Sequence, residues 1–490
     1  MNPDRFSDSE SALPAPEKLL PKLNLLTMFR LSLFQMGLGI MSLLTLGVIN
    51  RVMIDELNVL PLIAAGAIAM HQFVAPARIW FGQLSDSKTL LGYHRTGFVW
   101  IGAAVFAITS FIAVQVVWQL GGSLQATGWS FQTYAWVAVL ALVFAIYGLA
   151  LSASSTPFAA LLVDVSDDDN RSKLIGIVWS MLMVGIVIGA ITISKLLQMP
   201  EVSEEAIVNS ASANVADIAQ LQATINPVFM IVPAVVFGLS VLATFGVEKK
   251  YSRFNSRSTL VDREDKITLR HALRILTANR QTGLFFSFLL VLTTSLFMQD
   301  PVMEPYGGEV FGMSVSQTTQ LNAFFGMGTL IGIASTGFLL LPRLGKHKTT
   351  KYGCTAAAIS LGLIILAGFT ANPGMLKGSL LFFGLASGVL TAGATSLMLD
   401  LTAAETAGTF IGAWGLSQAM ARGLATVLGG AILNLGKNLF TVPVFAYSTV
   451  FALQAVGMII AIFLLRRVNI KEFRENAKSA IAAVMAGELD

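Results

Sequence analysis

Charged side chains are rare in this sequence, and two arginines lie inside long apolar stretches where they could bind a charged partner. Arg78 and Arg422 each interrupt such a stretch. A charged group within an apolar segment is costly, so it usually faces an internal cavity or an opposite charge. Each arginine is therefore a candidate for an ion pair, a gate or an anion-binding site. For Arg78, a structural tie to the helix end near Asp86 is the competing interpretation.

A second group of polar side chains surrounds two prolines. Gln299, Asp300 and Glu304 alternate with Pro301 and Pro305. Proline lacks a backbone N–H, so both prolines are expected to interrupt their helix and to free backbone groups that need other partners.

Arg51 lies at the corresponding end of the first apolar stretch. We predict an ion pair between Arg51 and either Asp300 or Glu304, which would join two distant parts of the chain. Such a pair could act as a gate, and a purely structural bridge is the alternative interpretation.

Catalytic and metal-binding motifs do not appear in the sequence. It contains no phosphate-binding loop, no serine-hydrolase elbow and no zinc-protease motif. Cys354 is the single cysteine, and His71, His94, His271 and His347 are scattered without metal-ligand spacing. We therefore expect neither an enzyme nor a metal site built from a cluster of protein ligands.

Composition places these residues in a membrane protein. Hydrophobic residues make up 54% of the chain and charged residues 12%, with a mean hydropathy of +0.71. Soluble domains carry about 25% charged residues. The net charge of +4 is small for a chain of 490 residues, so we do not expect nucleic-acid binding.

Twelve apolar stretches are long enough to cross a bilayer, which takes roughly 20 residues. Their approximate bounds are 28–50, 58–83, 95–118, 133–158, 172–198, 226–247, 281–301, 318–341, 349–371, 376–399, 405–434 and 441–466. The sequence therefore predicts an all-α membrane protein with twelve transmembrane helices.

Lysine and arginine concentrate in alternate connecting segments, which predicts cytoplasmic termini by the positive-inside rule. The expected divisions are a cytoplasmic N-terminal tail (1–27), a first six-helix half (28–247), a central cytoplasmic loop (248–280), a second six-helix half (281–466) and a cytoplasmic tail (467–490). Within the central loop, the pattern at Thr268–Leu276 fits a short amphipathic helix on the membrane surface and a solvated linker equally well.

The two halves carry an internal repeat. The stretch Leu161–Trp179 resembles Leu397–Trp414 with one residue deleted, and this alignment pairs Asp164 with Asp400. Parallel six-helix repeats around a basic central loop resemble the major facilitator architecture. We expect the two aspartates to cap or latch helix ends.

The segment between the second and third stretches adds a partial motif. Gly82 and Asp86, followed by basic residues, resemble the facilitator motif in which an aspartate and basic side chains hold helix ends together. The segment is longer than the usual motif, and an ordinary polar turn is the alternative.

Longer stretches resemble the PucC-type, or bacteriochlorophyll-delivery, branch of the major facilitator superfamily. They are Arg30–Gly39, Ala75–Asp86, Gln299–Leu321 and Ala407–Gly423. The resemblance implies a protein of thylakoid or photosynthetic inner membranes that handles chlorophyll or bacteriochlorophyll. Its implied partners are light-harvesting or photosystem pigment-binding proteins and the membrane lipid.

Under this resemblance, one side chain could bind the magnesium of a pigment. Magnesium in chlorophyll takes an axial nitrogen or oxygen ligand. The candidate ligands are His71, Gln299, Glu304, Gln35 and Gln72. A lone histidine on an apolar helix is also typical of a hydrogen-bonded core residue.

Three functions remain open at this point. The first is a pigment-handling assembly factor, the second a secondary transporter of a small solute, and the third a membrane chaperone that binds no pigment. The scarcity of carboxylates within the apolar stretches argues against ion-coupled transport.

Overall fold

The computed structural model describes residues 23–166, 168–197, 213–252, 280–400 and 407–468. These residues are almost entirely helical. Their extended backbone pairing is limited to one isolated bridge between Leu90 and Tyr93, in the turn after the second apolar stretch.

Sixteen α-helices follow one another along the described chain. Those of the first half are α1 (Leu25–Ser42), α2 (Pro61–Phe73), α3 (Ala77–Ser87), α4 (Thr96–Thr127), α5 (Phe131–Val165), α6 (Asp168–Leu196), α7 (Ala213–Thr244) and α8 (Val247–Tyr251). Those of the second half are α9 (Arg280–Phe297), α10 (Met303–Phe311), α11 (Val315–Ser335), α12 (Leu341–Leu344), α13 (Lys346–Thr370), α14 (Pro373–Asp400), α15 (Ala407–Leu439) and α16 (Pro443–Arg467). Wider π-helical turns extend α1 through Leu43–Ile49 and Val52–Glu56, and α11 through Thr336–Leu340.

Nine helices of the described residues are long and apolar enough to cross a membrane. Two shorter apolar helices, α2 and the Gly283–Phe297 part of α9, belong to interrupted spans. Each predicted apolar stretch overlaps at least one helix, so the prediction of an integral, all-α membrane protein is confirmed.

The second predicted stretch, 58–83, is not one continuous helix. It breaks between α2 and α3 because Pro76 has no N–H with which to continue the hydrogen-bond ladder. The N–H of Ala75 instead donates to the carbonyl of Gln72 at 3.0 Å, a tighter turn than an α-helix makes. Continuity was the wrong expectation here.

The seventh stretch breaks as predicted, but only one of its two prolines is responsible. Pro301 lies in the break between α9 and α10. Pro305 lies in the first turn of α10, where the backbone N–H groups have no partner within the helix. A proline there is tolerated, so the expectation that Pro305 interrupts the helix was wrong.

Helix packing repeats between the halves. In the first half α1 packs against α6 and α7, and α4 against α5 and α7, while α2 packs against α5. In the second half α9 packs against α15 and α16, and α13 against α14 and α16, while α11 packs against α14. Each pairing in one half has its counterpart in the other, as a duplicated bundle requires.

Among the described residues, the most extensive helix contacts between the halves are those of α2 with α15 and of α6 with α11. At Gly430 on α15, an added Cβ would lie 2.6 Å from the carbonyl oxygen of Pro61 and would overlap the methyl group of Ala65. The α2–α15 contact therefore depends on a residue without a side chain, as close helix packing in membranes often does.

Candidate site between the two halves

We call the end of the molecule that carries Arg51 the Arg51 end, and the opposite end the Arg95 end. At the Arg51 end, helix α1 and its π-helical extension meet the α9–α10 break. The amide of Asn50 donates to the carbonyl of Pro301 at 2.6 Å, and both groups are buried. This carbonyl can accept the hydrogen bond because it lies in the helix break, where no backbone N–H of the helix is bound to it.

Arg51 makes a different ion pair from the predicted one. Its guanidinium pairs with Asp55, one turn further along the same helix, and with Glu56 at 3.4 Å. It also reaches the other half, donating to the carbonyl of Met313 at 3.1 Å. The predicted pair with Asp300 or Glu304 was wrong, because the nearer carboxylates of its own helix take the guanidinium.

Glu304 lies at the same end, buried to 3% exposure. One carboxylate oxygen accepts a hydrogen bond from the Asn322 amide at 2.5 Å. The carboxylate touches the position where Gly47 would carry a Cβ, so a glycine on α1 makes room for it. Its second oxygen is buried without a hydrogen bond among the described residues. Glu304 is enclosed between halves and is not open to a pigment in this conformation.

Two serines join α6 to α11 at this end. The hydroxyl oxygens of Ser194 and Ser316 lie 3.0 Å apart, and Ser316 also donates to the Ser194 carbonyl at 2.8 Å. The amide of Gln320 reaches the Ser194 hydroxyl at 2.9 Å. Buried polar groups at such a seam are satisfied by one another across the two halves.

Cysteines at Ser194 and Ser316 are expected to form a disulfide on mild oxidation, in a Cys354→Ala background. The native hydroxyls are already in contact, and a disulfide needs Cβ atoms about 3.5–4.5 Å apart. The measurement, made after denaturation without reductant, is protection of both thiols from a maleimide that adds visible mass on a gel. The pair Ser194→Cys/Ser314→Cys, with Ser314 exposed on the helix cap, is the control and should remain labelled. Equal labelling of both pairs would contradict the described seam.

Near the middle of the molecule, the arginine of α15 stands over an aromatic ring. The guanidinium carbon of Arg422 lies 3.9 Å from the ring centre of Phe297 on α9. Arg422 is within electrostatic range of the Asp300 carboxylate and of Arg78. The structure thus brings together three of the predicted ion-pair residues, although no two of them form an ion pair.

His71 lies in the last turn of α2, at the same level. Its Nδ1 is 2.5 Å from the carbonyl of Ile68, and its Nε2 is 2.7 Å from the side-chain amide of Gln72. The carbonyl requires the proton on Nδ1, so Nε2 keeps its lone pair and accepts from Gln72. The ring is oriented as a metal-binding histidine would be, but Gln72 covers the nitrogen that would bind.

The other predicted glutamine ligands differ in their surroundings. Gln299 is buried, and its carbonyl oxygen accepts from the Gln454 amide at 2.5 Å. Its own amide lies 3.4 Å from Asp300. Gln35 on α1 is half-buried and makes no hydrogen bond within the described chain. Gln299 therefore belongs to the α9–α16 contact, whereas Gln35 is accessible.

The Arg95 end holds a buried latch. Arg95 pairs with Asp164 at the end of α5 at 2.9 Å, and donates to the Ser85 hydroxyl at 2.6 Å. Gly82 lies one turn before Ser85 on α3, beside Thr156. Asp86 and Asp400 are helical, but their side chains lie outside the described residues.

Glu248 on α8 completes this latch, and the sequence analysis missed it. Its carboxylate accepts the backbone N–H groups of His94 and Thr96 at 2.7 Å and that of Arg95 at 3.2 Å. An acidic group at a helix start is stabilising, because the first N–H groups of a helix lack partners. The signal in the sequence was weak, a lone glutamate at the start of a basic segment.

The sequence is similar to a known protein family and to named relatives over most of its length. A family model described as "PUCC protein" matches residues 48–473. The chain is 29% identical to "Bacteriochlorophyll synthase 44.5 kDa chain" of Rhodobacter capsulatus, covering 94% of this chain and 99% of that protein. It is 28% identical to "Protein PucC" of Rhodobacter capsulatus, covering 92% of this chain and 94% of that protein.

Among solved structures, the nucleoside transporter NupG in its D323A form superposes with a TM-score of 0.63 at 15% sequence identity. The superposition covers 90% of this chain and 99% of that one. This similarity shows the fold, which is that of the major facilitator transporters.

Proposed function

Because this chain belongs to the PUCC protein family, we propose that it handles chlorophyll or bacteriochlorophyll while light-harvesting or photosystem pigment-proteins assemble. The observation that carries the proposal is the family match over residues 48–473. A relative whose name contains bacteriochlorophyll synthase, matched over nearly its whole length, points to the same pigment.

In this proposal the protein holds or passes pigment and catalyses no reaction. Its partners are pigment-binding membrane proteins and the surrounding lipid. It works in a thylakoid or photosynthetic inner membrane, with both termini in the cytoplasm as the distribution of basic residues favours.

His71 is the side chain that best fits a pigment magnesium. The hydrogen bond from Nδ1 to the Ile68 carbonyl fixes the proton on Nδ1, which leaves Nε2 as the ligand atom. In the present conformation the Gln72 amide is hydrogen-bonded to Nε2, so pigment binding requires this amide to turn away. The bound pigment would supply its ring and, on its magnesium, one open coordination position for this nitrogen.

Purification in mild detergent from a native photosynthetic membrane tests this proposal. We expect a red chlorophyll band at fixed stoichiometry and co-purifying antenna or photosystem subunits. His71→Phe should lower the pigment-to-protein ratio by about tenfold or more, since losing even an outer-shell partner of a metal ligand costs about 10- to 100-fold in metal affinity. The matched control is His347→Gln, at the start of α13, which should keep its pigment.

Other outcomes favour the alternatives. A colourless protein that still binds antenna subunits would identify a chaperone that handles no pigment. A colourless protein without such partners would favour a secondary transporter of a small solute. The observation behind that second function is the transporter fold together with the electrostatic interaction between Asp300 and Arg422.

A further inference from the structure

Among the described residues, no opposite charge is bound to either of two arginines that lie between the halves. Within the described residues, neither Arg78 nor Arg422 makes an ion pair or a side-chain hydrogen bond. Both side chains are exposed. They are therefore accessible to a ligand.

The depth of Arg422 makes this arrangement costly. Arg422 lies near the middle of α15, and the next residue, Gly423, packs against the second helix. A Cβ at Gly423 would lie 3.0 Å from the Phe73 ring and 3.2 Å from the Gln72 Cβ. Arg422 is thus level with the last turn of α2, inside the apolar span, where a guanidinium without a counter-ion is strongly disfavoured.

Charge in this region favours an anion. The ionisable groups near Arg422 are Arg78, the Asp300 carboxylate and His71. Even with Asp300 ionised, two guanidiniums outweigh one carboxylate, and a protonated His71 would only add positive charge. An anion entering between the arginines would therefore relieve an excess of positive charge.

The surroundings of the guanidinium also set the shape of the ligand. The guanidinium carbon of Arg422 lies 3.9 Å from the ring centre of Phe297, and a guanidinium can donate two parallel hydrogen bonds from its planar fork. Carboxylate and phosphate oxygens match that fork. Phe297 adds an apolar surface on which a hydrocarbon or conjugated ring can rest.

We propose that Arg422 and Arg78 form a binding site for an amphipathic anion, whose carboxylate or phosphate oxygens meet the two guanidiniums while its apolar body packs on Phe297. Two sources share this chemistry, the free carboxylate of an unesterified chlorophyll-type pigment and the phosphate of a membrane lipid. The site stands on the geometry alone and does not depend on the pigment-handling function.

The test compares ligands that differ only in charge. Chlorophyllide a and its methyl ester are titrated into the full chain in a neutral detergent, and binding is followed by the pigment's absorption shift. In a second arm, retention of phosphatidylglycerol against phosphatidylcholine is measured by native mass spectrometry. We expect an anion preference of about tenfold or more in at least one arm, from charged hydrogen bonds of the usual strength.

Variants connect that preference to the two arginines. Arg422→Gln and Arg78→Gln should each reduce it severalfold or more. Arg422→Lys keeps the positive charge and should retain part of the anion preference. That result would show that misfolding is not the cause of the loss in Arg422→Gln. The matched control is Arg343→Gln, an exposed arginine of α12, which should bind as the unaltered protein does.

The two arms separate the ligand sources. Preference for chlorophyllide alone identifies the pigment carboxylate, and preference for phosphatidylglycerol alone identifies the lipid phosphate; both support an anion site. A lipid preference in a protein that binds no pigment would support the site while the pigment function fails. Equal binding of acid and ester together with equal retention of both lipids, or a preference unchanged in Arg422→Gln, would overturn the proposal.

Discussion

Asp164→Ala is expected to lower the free energy of unfolding by about 3–5 kcal/mol, the usual cost of breaking a buried ion pair from one side. Arg95 is 4% exposed and Asp164 7% exposed, so water cannot replace the lost carboxylate. The guanidinium would keep its hydrogen bond to the Ser85 hydroxyl, which is a neutral partner. The measurement is the unfolding midpoint of purified protein in detergent.

The double variant Arg95→Met/Asp164→Ala supplies the control for this latch. The double variant also removes the guanidinium that Asp164→Ala deprives of its carboxylate, so it should recover much of the stability that the single variant loses. A double variant no more stable than Asp164→Ala would show that the pair is not the source of the effect.

Gly308→Ala is expected to lower the free energy of unfolding by about 1–3 kcal/mol, the range for forcing extra atoms into a packed interior. A Cβ at Gly308 would overlap the Arg51 guanidinium and the Asp55 carboxylate. Both side chains are almost fully buried, so neither can move into solvent without breaking their ion pair. Thermal unfolding of the purified protein measures the loss.

Gly362→Ala is the matched control for this substitution. Gly362 is also helical, but a Cβ there meets no atom within 4 Å. Alanine in an exposed helical position is more stable than glycine by roughly 0.5–1 kcal/mol. The control should therefore be unchanged or slightly more stable. Equal losses at both glycines would mean that the α10–α1 contact is not tightly packed.

The membrane-spanning pattern was predictable, because apolar length is a property of the linear sequence. Each predicted stretch overlaps at least one helix, and Asp164 lies at the end of α5, as predicted. The break at Pro76 was missed because proline is common in membrane helices without breaking them. The π-helical turns of α1 gave no signal, because they depend on how α1 packs against its neighbours.

The candidate residues were found more reliably than their partners. Arg78, Asp300 and Arg422 were each singled out by charge in an apolar stretch, and the structure places them near one another. Partners depend on three-dimensional packing, so Asp55 for Arg51 and Asn322 for Glu304 were not anticipated. Gln454, which holds Gln299, is an ordinary polar residue in an apolar helix and carried no signal.

The interruption at Val74–Pro76 has a mechanical consequence. It divides the second span into two helices. Helix α2 packs closely against α15 at Gly423 and Gly430, whereas α3 packs against α5. A pivot at these three residues would swing Arg78 towards or away from Arg422 without separating the halves. Rotation about this single hinge would change the distance between the two guanidiniums. Binding of a charged headgroup would then not require the two halves to separate.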